Sequence, residues 1–172
     1  MCAFGDPAFT DRRRYRGRLP TDMKAIAQEL REIIDRATPL LSRIPDDRAA
    51  IPREPGKWSP REVLGHLIDS ASNNHQRFVR LQHSANLALP SYEQASWVAS
   101  QAYQSRRWAD LLELWSAYNR HLAHVLTHVP ENTAGNRISV GGTDSVTFLW
   151  LAEDYVRHLR HHLQQILGRE AA

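Results

Sequence analysis

Residues 58–66, which read WSPREVLGH, contain the clearest helix start in the chain. Ser59 stands at the N-cap, Pro60 at the first helical position and Glu62 three residues after the serine. In such a capping box the serine hydroxyl accepts a hydrogen bond from the backbone amide of the glutamate, whose carboxylate accepts one from the amide of the serine. The stretch therefore predicts a helix that begins at Pro60 and runs to about His83.

Three further segments have the apolar spacing of amphipathic helices. In residues 21–43 the apolar side chains recur at intervals of mostly three and four, as on one buried helix face. The same spacing recurs over residues 107–129, where Pro130 ends the helix, and from residue 143 or 145 to residue 167, where Gly168 ends it. A polar connection with a short helix near residues 92–103 precedes the third long helix. The chain shows no strand-like alternation of useful length, so the sequence predicts an all-α four-helix bundle.

The composition is that of one globular domain of 172 residues, with 42% hydrophobic and 24% charged side chains. A run of about 20 apolar residues is needed to cross a bilayer, and the absence of one argues against a membrane protein. Cys2 is the one cysteine, which excludes an intramolecular disulfide and a cysteine-rich zinc site. No segment resembles a secretory signal, so we expect a cytoplasmic protein.

Residues 1–22 differ from the rest of the chain. They contain five arginines and three acidic residues, and so carry +2 of the net charge of +3. They show no helical periodicity, and we expect a disordered extension followed by one domain over residues 23–170. A basic arm that binds nucleic acid or a membrane surface is the alternative for this extension. Because the remaining chain is nearly neutral, we expect no nucleic-acid partner.

Nine histidines are an informative excess, and two groups of them have the spacing of metal ligands. His158 and His162 lie four apart on one face of the last helix, and His66 lies on an inward stripe of the second. Three imidazoles so placed can bind one divalent ion and leave positions open for water. A similar ladder on the third helix consists of His121, His124 and His128. Spacing alone does not choose between the two groups.

Other catalytic arrangements are absent from the sequence. The chain has no His-Glu-x-x-His motif, no Gly-x-Ser-x-Gly motif and no glycine-rich phosphate loop. Residues 140–143, which read VGGT, are predicted to form the turn that enters the last helix. The histidines are therefore the main candidates for chemistry, and hydrogen-bonded core histidines are the alternative interpretation.

Three parts of the sequence resemble the DinB-like, YfiT-like family. The first part contains GKWSPREVLGHLIDS at residues 56–70 and NNHQRF at residues 73–78. The second is LWSAYNRHL at residues 114–122, and the third contains EDYVRH and HHLQQI within residues 153–166. The resemblance covers about residues 23–168.

The resemblance implies a four-helix bundle, with an up-down-down-up arrangement, and one divalent metal ion, zinc or nickel. The metal-binding histidines of the family correspond to His66, His158 and His162, which selects these three over the ladder on the third helix. Members of the family are described as metal-dependent hydrolases, and some are thiol S-transferases that use bacillithiol or mycothiol. Members are often dimeric, so we expect a homodimer that acts on a small molecule.

Three neutral imidazoles leave the full positive charge on an ion, which favours a bound water that attacks an ester or amide, or a bound thiolate that attacks an electrophile. Asp69 lies three residues after His66 and is the candidate general base. Its alternative is a structural role, in which it orients His66 or pairs with Arg77. Asn74, Arg77 and Tyr155 are candidate substrate contacts. The hypotheses are a metal-dependent hydrolase, a thiol S-transferase, and a non-enzymatic bundle.

Overall fold

The computed structural model describes residues 22–168, which contain six α-helices and three short strands. In chain order they are α1 (Met23–Leu41), α2 (Asp46–Ala49), α3 (Pro60–Leu81), β1 (Asn86–Leu89), α4 (Gln94–Ser100), α5 (Trp108–Thr127), β2 (Arg137–Val140), β3 (Val146–Thr147) and α6 (Phe148–Leu167). The four long helices are those that the apolar spacing predicts. The predicted extension over residues 1–22 lies outside the described residues, except for Asp22, and so do residues 169 and 170 of the predicted domain.

Local sequence explains where the long helices begin. The hydroxyl of Ser59 accepts a hydrogen bond from the Glu62 amide at 3.3 Å, and Glu62 Oε2 accepts one from the Ser59 amide at 2.8 Å. The predicted capping box is thereby confirmed. Asp22 caps α1 through its Oδ1, which accepts from the Ala25 amide at 2.8 Å. The fixed start of α3 places His66 within the second turn of that helix.

Each long helix packs against two others, in the cyclic order α1, α5, α3, α6. Helices α1 and α5 run antiparallel, since the indole Nε1 of Trp108 at the start of α5 donates to the carbonyl of Leu41 at the end of α1, at 2.9 Å. Helices α3 and α5 run in the same direction. The N-cap of α3, Ser59, donates through its hydroxyl to Oε1 of Gln104, shortly before α5 begins, at 2.6 Å.

Helices α3 and α6 run in opposite directions and carry the candidate site. Phe78, near the end of α3, packs against Phe148 at the start of α6, with ring centroids 5.7 Å apart. His66, near the start of α3, lies against His162 in the second half of α6, with ring centroids 4.7 Å apart. This antiparallel packing brings side chains together that are far apart in the sequence.

The three strands form a small sheet that no pattern in the sequence predicts. Strand β1 pairs with β2 in parallel and β2 pairs with β3 in antiparallel orientation. Strands of four, four and two residues are too short to show an alternating pattern. As a consequence, α6 begins at Phe148 rather than at residue 143 or 145. Gly141 and Gly142, with φ of +62° and +79°, turn the chain after β2 instead of entering the helix directly.

Hydrogen bonds of Asn136, which lies just before β2, link the end of α3 to the start of α6. Asn136 donates from Nδ2 to the carbonyl of Leu81 at 2.6 Å, and its own carbonyl accepts from the amide of Phe148 at 2.7 Å. One residue therefore holds both helices at the end of the bundle opposite His66. These two hydrogen bonds help to fix the position of α6 along the axis of α3, and therefore which residues of the two helices face each other.

A continuous hydrophobic core fills the space between the four long helices. Its largest fully buried side chains are Trp115, Phe78, Phe148, Ile26, Leu30, Ile34, Leu41, Leu64, Leu67, Leu81, Leu111 and Leu122. Asp69 and His66 are polar residues within the same interior, and burial of such groups is costly unless they are bonded or functional. Among the described helices, none has the length and apolar content needed to cross a membrane.

Candidate metal centre

Three histidines meet between α3 and α6, as the sequence and the resemblance predict. His66 is fully buried, whereas His158 and His162 are partly buried. One ring nitrogen from each histidine lies within 4.8 Å of the corresponding atoms of the other two. The Nε2 atoms of His66 and His158 are 3.1 Å apart. Within residues 22–168, this is the one group of three potential ligands so close together.

The arrangement follows from helix geometry. His158 and His162 lie one turn apart on α6, and their ring centroids are 4.4 Å apart. His66 lies across from both, with centroid separations of 5.1 Å from His158 and 4.7 Å from His162. All three ring pairs meet at interplanar angles between 66° and 69°. The rings are therefore not stacked, and their edges, which carry the nitrogen atoms, converge.

The chemistry of this donor set fits a divalent cation. Two nitrogen atoms on one tetrahedral zinc ion are about 3.3 Å apart, because zinc–nitrogen bonds are about 2.0 Å long. The observed 3.1 Å between His66 and His158 is close to that separation. Burial, together with the neighbouring His162 and His66, holds the pKa of His158 well below its usual value. The neutral imidazole, which is the form that binds a metal, is therefore favoured at this position.

Gln165, which is not among the residues predicted from the sequence, contacts the centre from the next turn of α6. Its Oε1 lies 2.9 Å from Nδ1 of His162, and its Nε2 lies 3.0 Å from Nε2 of His161. With the proton on Nδ1 donated to Gln165, the lone pair of His162 is on Nε2, where it is available to an ion. The spacing of three residues from His162 and four from His161 is the signal that could have identified Gln165.

The ladder on the third predicted helix does not form a comparable cluster. His121 is exposed and packs against His75 of α3, with ring centroids 5.1 Å apart. His124 and His128 are also exposed, with centroids 4.3 Å apart. The Nδ1 of His128 donates to the backbone carbonyl of His124 at 2.8 Å, at the end of α5. Exposure and separation thus distinguish this ladder from the cluster on α3 and α6.

Asp69, the candidate base, is 2% exposed and lies one turn after His66. Its Oδ1 accepts hydrogen bonds from the hydroxyl of Tyr103, at 2.7 Å, and from Nε2 of Gln101. Its Oδ2 has no hydrogen-bond partner within the described residues. Burial raises the pKa of Asp69, and the two hydrogen bonds oppose that shift. The carboxyl is thus anchored by Tyr103 and Gln101, and not by the suggested pairing with Arg77.

Tyr103 reaches Asp69 because α3 has a glycine at the contact. A Cβ added at Gly65 would lie 2.1 Å from the Tyr103 ring, so a larger residue cannot stand there without movement. Ala102 has a left-handed backbone, with φ of +50° and ψ of +40°, which turns the chain into the 3₁₀ helix that begins at Tyr103. The glycine before His66 therefore serves close packing, and sequence reasoning alone does not reveal its partner.

The three candidate substrate contacts have different surroundings. Asn74 is buried and donates from Nδ2 to the carbonyl of Ser70 at 2.9 Å, and its Oδ1 accepts from Nη1 of Arg77 at 3.3 Å. Tyr155 is 3% exposed, and its hydroxyl donates to Oδ1 of Asn119 at 2.5 Å. Burial raises the pKa of Tyr155. Its hydroxyl thus already has a hydrogen-bond partner in the core, and a contact of Tyr155 with substrate stays a prediction.

Comparisons with known proteins agree with this architecture. YfiT from Bacillus subtilis, described as a probable metal-dependent hydrolase with an unusual four-helix bundle topology, matches with a TM-score of 0.77 and 20% sequence identity, over 88% of this chain and 89% of that one. At this level of identity the likeness shows the fold. None of the curated proteins compared with the chain matches it.

The sequence profile of the DinB superfamily matches residues 7–166. The match begins before the first described residue and ends within the last helix. It therefore spans nearly the whole chain, including both helices that carry the histidine cluster. The chain belongs to the DinB superfamily.

Proposed function

We propose that the protein is a metal-dependent hydrolase of small molecules, with one divalent ion held by His66, His158 and His162. The observation that carries the proposal is the convergence of three ring nitrogens, within 4.8 Å of one another, from two antiparallel helices. Zinc or nickel is the expected ion, because imidazole ligands suit both. The expected homodimer and the cytoplasmic location stay predictions.

Three protein ligands favour a catalytic site over a structural one. Structural zinc sites are usually closed by four protein ligands, whereas catalytic sites keep a position for water or substrate. An ion on three neutral imidazoles keeps its charge and supplies a water of lowered pKa and a polarised substrate carbonyl. The non-enzymatic bundle is accordingly the weaker hypothesis.

The residues of the chain have distinct roles in this proposal. His158 is held neutral, so it can bind a cation without first losing a proton. Gln165 accepts the proton of Nδ1 and so holds the ring of His162 in one orientation, with Nε2 left to bind the ion. The Oδ2 of Asp69 is the atom that accepts the proton of the attacking water, because its Oδ1 is already occupied by Tyr103 and Gln101.

The test uses protein purified without a nickel column, stripped with a chelator and then reloaded. We expect the stripped protein to be inactive, and one equivalent of zinc or nickel to restore hydrolysis of at least one member of a panel of 4-nitrophenyl esters and anilides. Turnover that requires an added low-molecular-weight thiol, such as bacillithiol or mycothiol, would replace hydrolysis with thiol transfer. A chain that retains no metal under any of these conditions would contradict both activities.

A further inference from the structure

A second meeting of histidines lies between α3 and α5, away from the three-histidine cluster. His75 on α3 and His121 on α5 have ring centroids 5.1 Å apart, with the rings nearly perpendicular at 85°. The two helices run in the same direction, and these residues lie about 22 Å and about 20 Å from the starts of their helices. They therefore stand at nearly the same level, and the packing of the two helices brings their rings together.

The separation of the two rings suits one shared ion. Two imidazoles on one tetrahedral zinc ion have ring centroids about 5 Å apart, because zinc–nitrogen bonds are about 2.0 Å long. His66 and His158 of the metal centre show the same centroid separation of 5.1 Å, with Nε2 atoms 3.1 Å apart. His75 and His121 therefore have the spacing of a chelating pair, with two imidazoles instead of three.

Three of the four ring nitrogens in this pair are available to an ion. The Nδ1 of His75 lies 3.2 Å from the hydroxyl oxygen of Tyr118, which precedes His121 by three residues on α5. No residue in the described part of the chain hydrogen-bonds to Nε2 of His75 or to either nitrogen of His121. When Nδ1 of His75 donates its proton to Tyr118, the lone pair is on Nε2, as in metal-binding histidines whose rings are oriented by an outer partner.

The surroundings of His75 also favour the form that binds a metal. Burial, together with the neighbouring His121, lowers the pKa of His75. A neutral imidazole does not have to lose a proton before it binds a cation. His121 is exposed, whereas His75 is partly buried, so an ion can reach the pair from solvent without rearrangement of the core.

Packing distinguishes this pair from His124 and His128, whose ring centroids are 4.3 Å apart at the end of α5. Both of those side chains are exposed, so an ion would have to immobilise them, which costs conformational entropy. His75 is already held in place, by the hydroxyl of Tyr118 and by the helices that partly bury it. His75 and His121 are therefore the better organised pair.

We propose that His75 and His121 bind a second divalent transition-metal ion, which joins α3 to α5. Zinc, nickel and copper are the ions that imidazole ligands suit. Water completes the coordination, so this ion is held by fewer protein ligands, and more weakly, than an ion on three histidines. The site does not depend on the proposed hydrolase activity, since neither residue belongs to the three-histidine cluster.

Calorimetry with zinc, on protein already loaded with one equivalent of zinc, tests the proposal. We expect a second equivalent to bind at least about 100-fold more weakly than the first, because one imidazole fewer holds it. His121→Ala should remove this second binding event, since a single imidazole remains. Tyr118→Phe should weaken it by about tenfold, because His75 loses its orienting partner. Both variants should keep the first equivalent.

His83→Ala is the matched control, because His83 is an exposed histidine just after α3 and outside the pair. This variant should bind the second equivalent like the unmodified protein. The proposal is overturned if the zinc-loaded protein takes up no second equivalent, if His121→Ala still binds it, or if His124→Ala alone loses it. If the three-histidine cluster binds no zinc, the first equivalent should itself depend on His121, so the two proposals fail separately.

Thermal melting gives a second measurement, since an ion that bridges two helices of the folded protein stabilises it by mass action. The free zinc concentration is set to about 100 times the Kd of the second site. The rise in Tm on adding zinc should then be about 5–10 °C larger in the unmodified protein than in His121→Ala. Equal rises in the two proteins would contradict a site between α3 and α5.

Discussion

Two groups of histidines in this protein have nearly the same helical spacing and different surroundings. His158 and His162 on α6 have ring centroids 4.4 Å apart, and His124 near the end of α5 and His128 just after it have centroids 4.3 Å apart. The α6 pair faces the fully buried His66 across the groove, whereas the α5 pair is exposed. A spacing of four residues therefore supplies two potential ligands, and a third ligand depends on what the opposite helix presents.

The strongest test of this comparison removes one histidine from each group. His162→Ala should lose most of its bound metal and all metal-dependent activity. The affinity for the ion should fall by more than about 100-fold, since changes to residues that only hydrogen-bond a metal ligand already lower the affinity by about 10- to 100-fold. His124→Ala should keep the metal content of the unmodified protein. Mass spectrometry of protein purified without a nickel column measures both, and the reverse result would mean that the metal site is assigned to the wrong group.

The next largest effect is expected at Asp69, one turn after the buried His66. Asp69→Asn should lower kcat by about 100-fold while leaving metal content unchanged, because a positioned base contributes at least that much. Activity in the unmodified protein requires the ionised carboxylate, so it should decrease as the pH falls through the pKa of Asp69. As burial raises that pKa, the decrease should occur at a higher pH than for an ordinary carboxyl. An unchanged kcat in Asp69→Asn would assign this residue a structural role.

The packing beneath His66 gives a third test. Gly65→Ala should destabilise the protein by about 2–3 kcal/mol, as overpacking does, since the new Cβ would lie 2.1 Å from the Tyr103 ring. Gly135→Ala is the control, because an added Cβ there meets no atom within 4 Å. Urea unfolding of both variants measures the difference in free energy. Equal stability of the two would show that Tyr103 does not hold α3 in place.

The smallest effect is expected at Gln165, which contacts His162 but is not one of the three histidines. Gln165→Ala should weaken metal binding by about tenfold, because His162 loses the acceptor that orients its ring. Gln164→Ala changes the neighbouring exposed residue and should leave the affinity unchanged. Competition with a chromogenic chelator is sensitive enough to separate the two. If both variants bind metal like the unmodified protein, the helix alone orients His162.

The sequence predicts the long helices well because their signals are local. The capping box at Ser59 and the apolar spacing of the four segments act within a few turns. The sheet has no such signal, since strands of two to four residues are stabilised by pairing with residues far along the chain. The late start of α6 at Phe148 follows from that sheet.

The candidate site shows the same division between local and distant information. Spacing identifies His158 and His162, the inward stripe of the second helix suggests His66, and the resemblance to the family selects the set. The bonds of Asp69 to Tyr103 and Gln101 depend on a left-handed turn at Ala102, which no sequence pattern marks. Such contacts come from packing between elements.

The contact between α3 and α6 also has a consequence for how the chain is tied together. His66 and His158 are 92 residues apart in the sequence, yet their Nε2 atoms are 3.1 Å apart. An ion shared by these two residues would close a loop that includes α5 and the whole sheet, and long loops lose the most unfolded-state entropy when closed. Because the unfolded chain cannot present this pair, the ion would act as a removable cross-link, with a strength set by its free concentration.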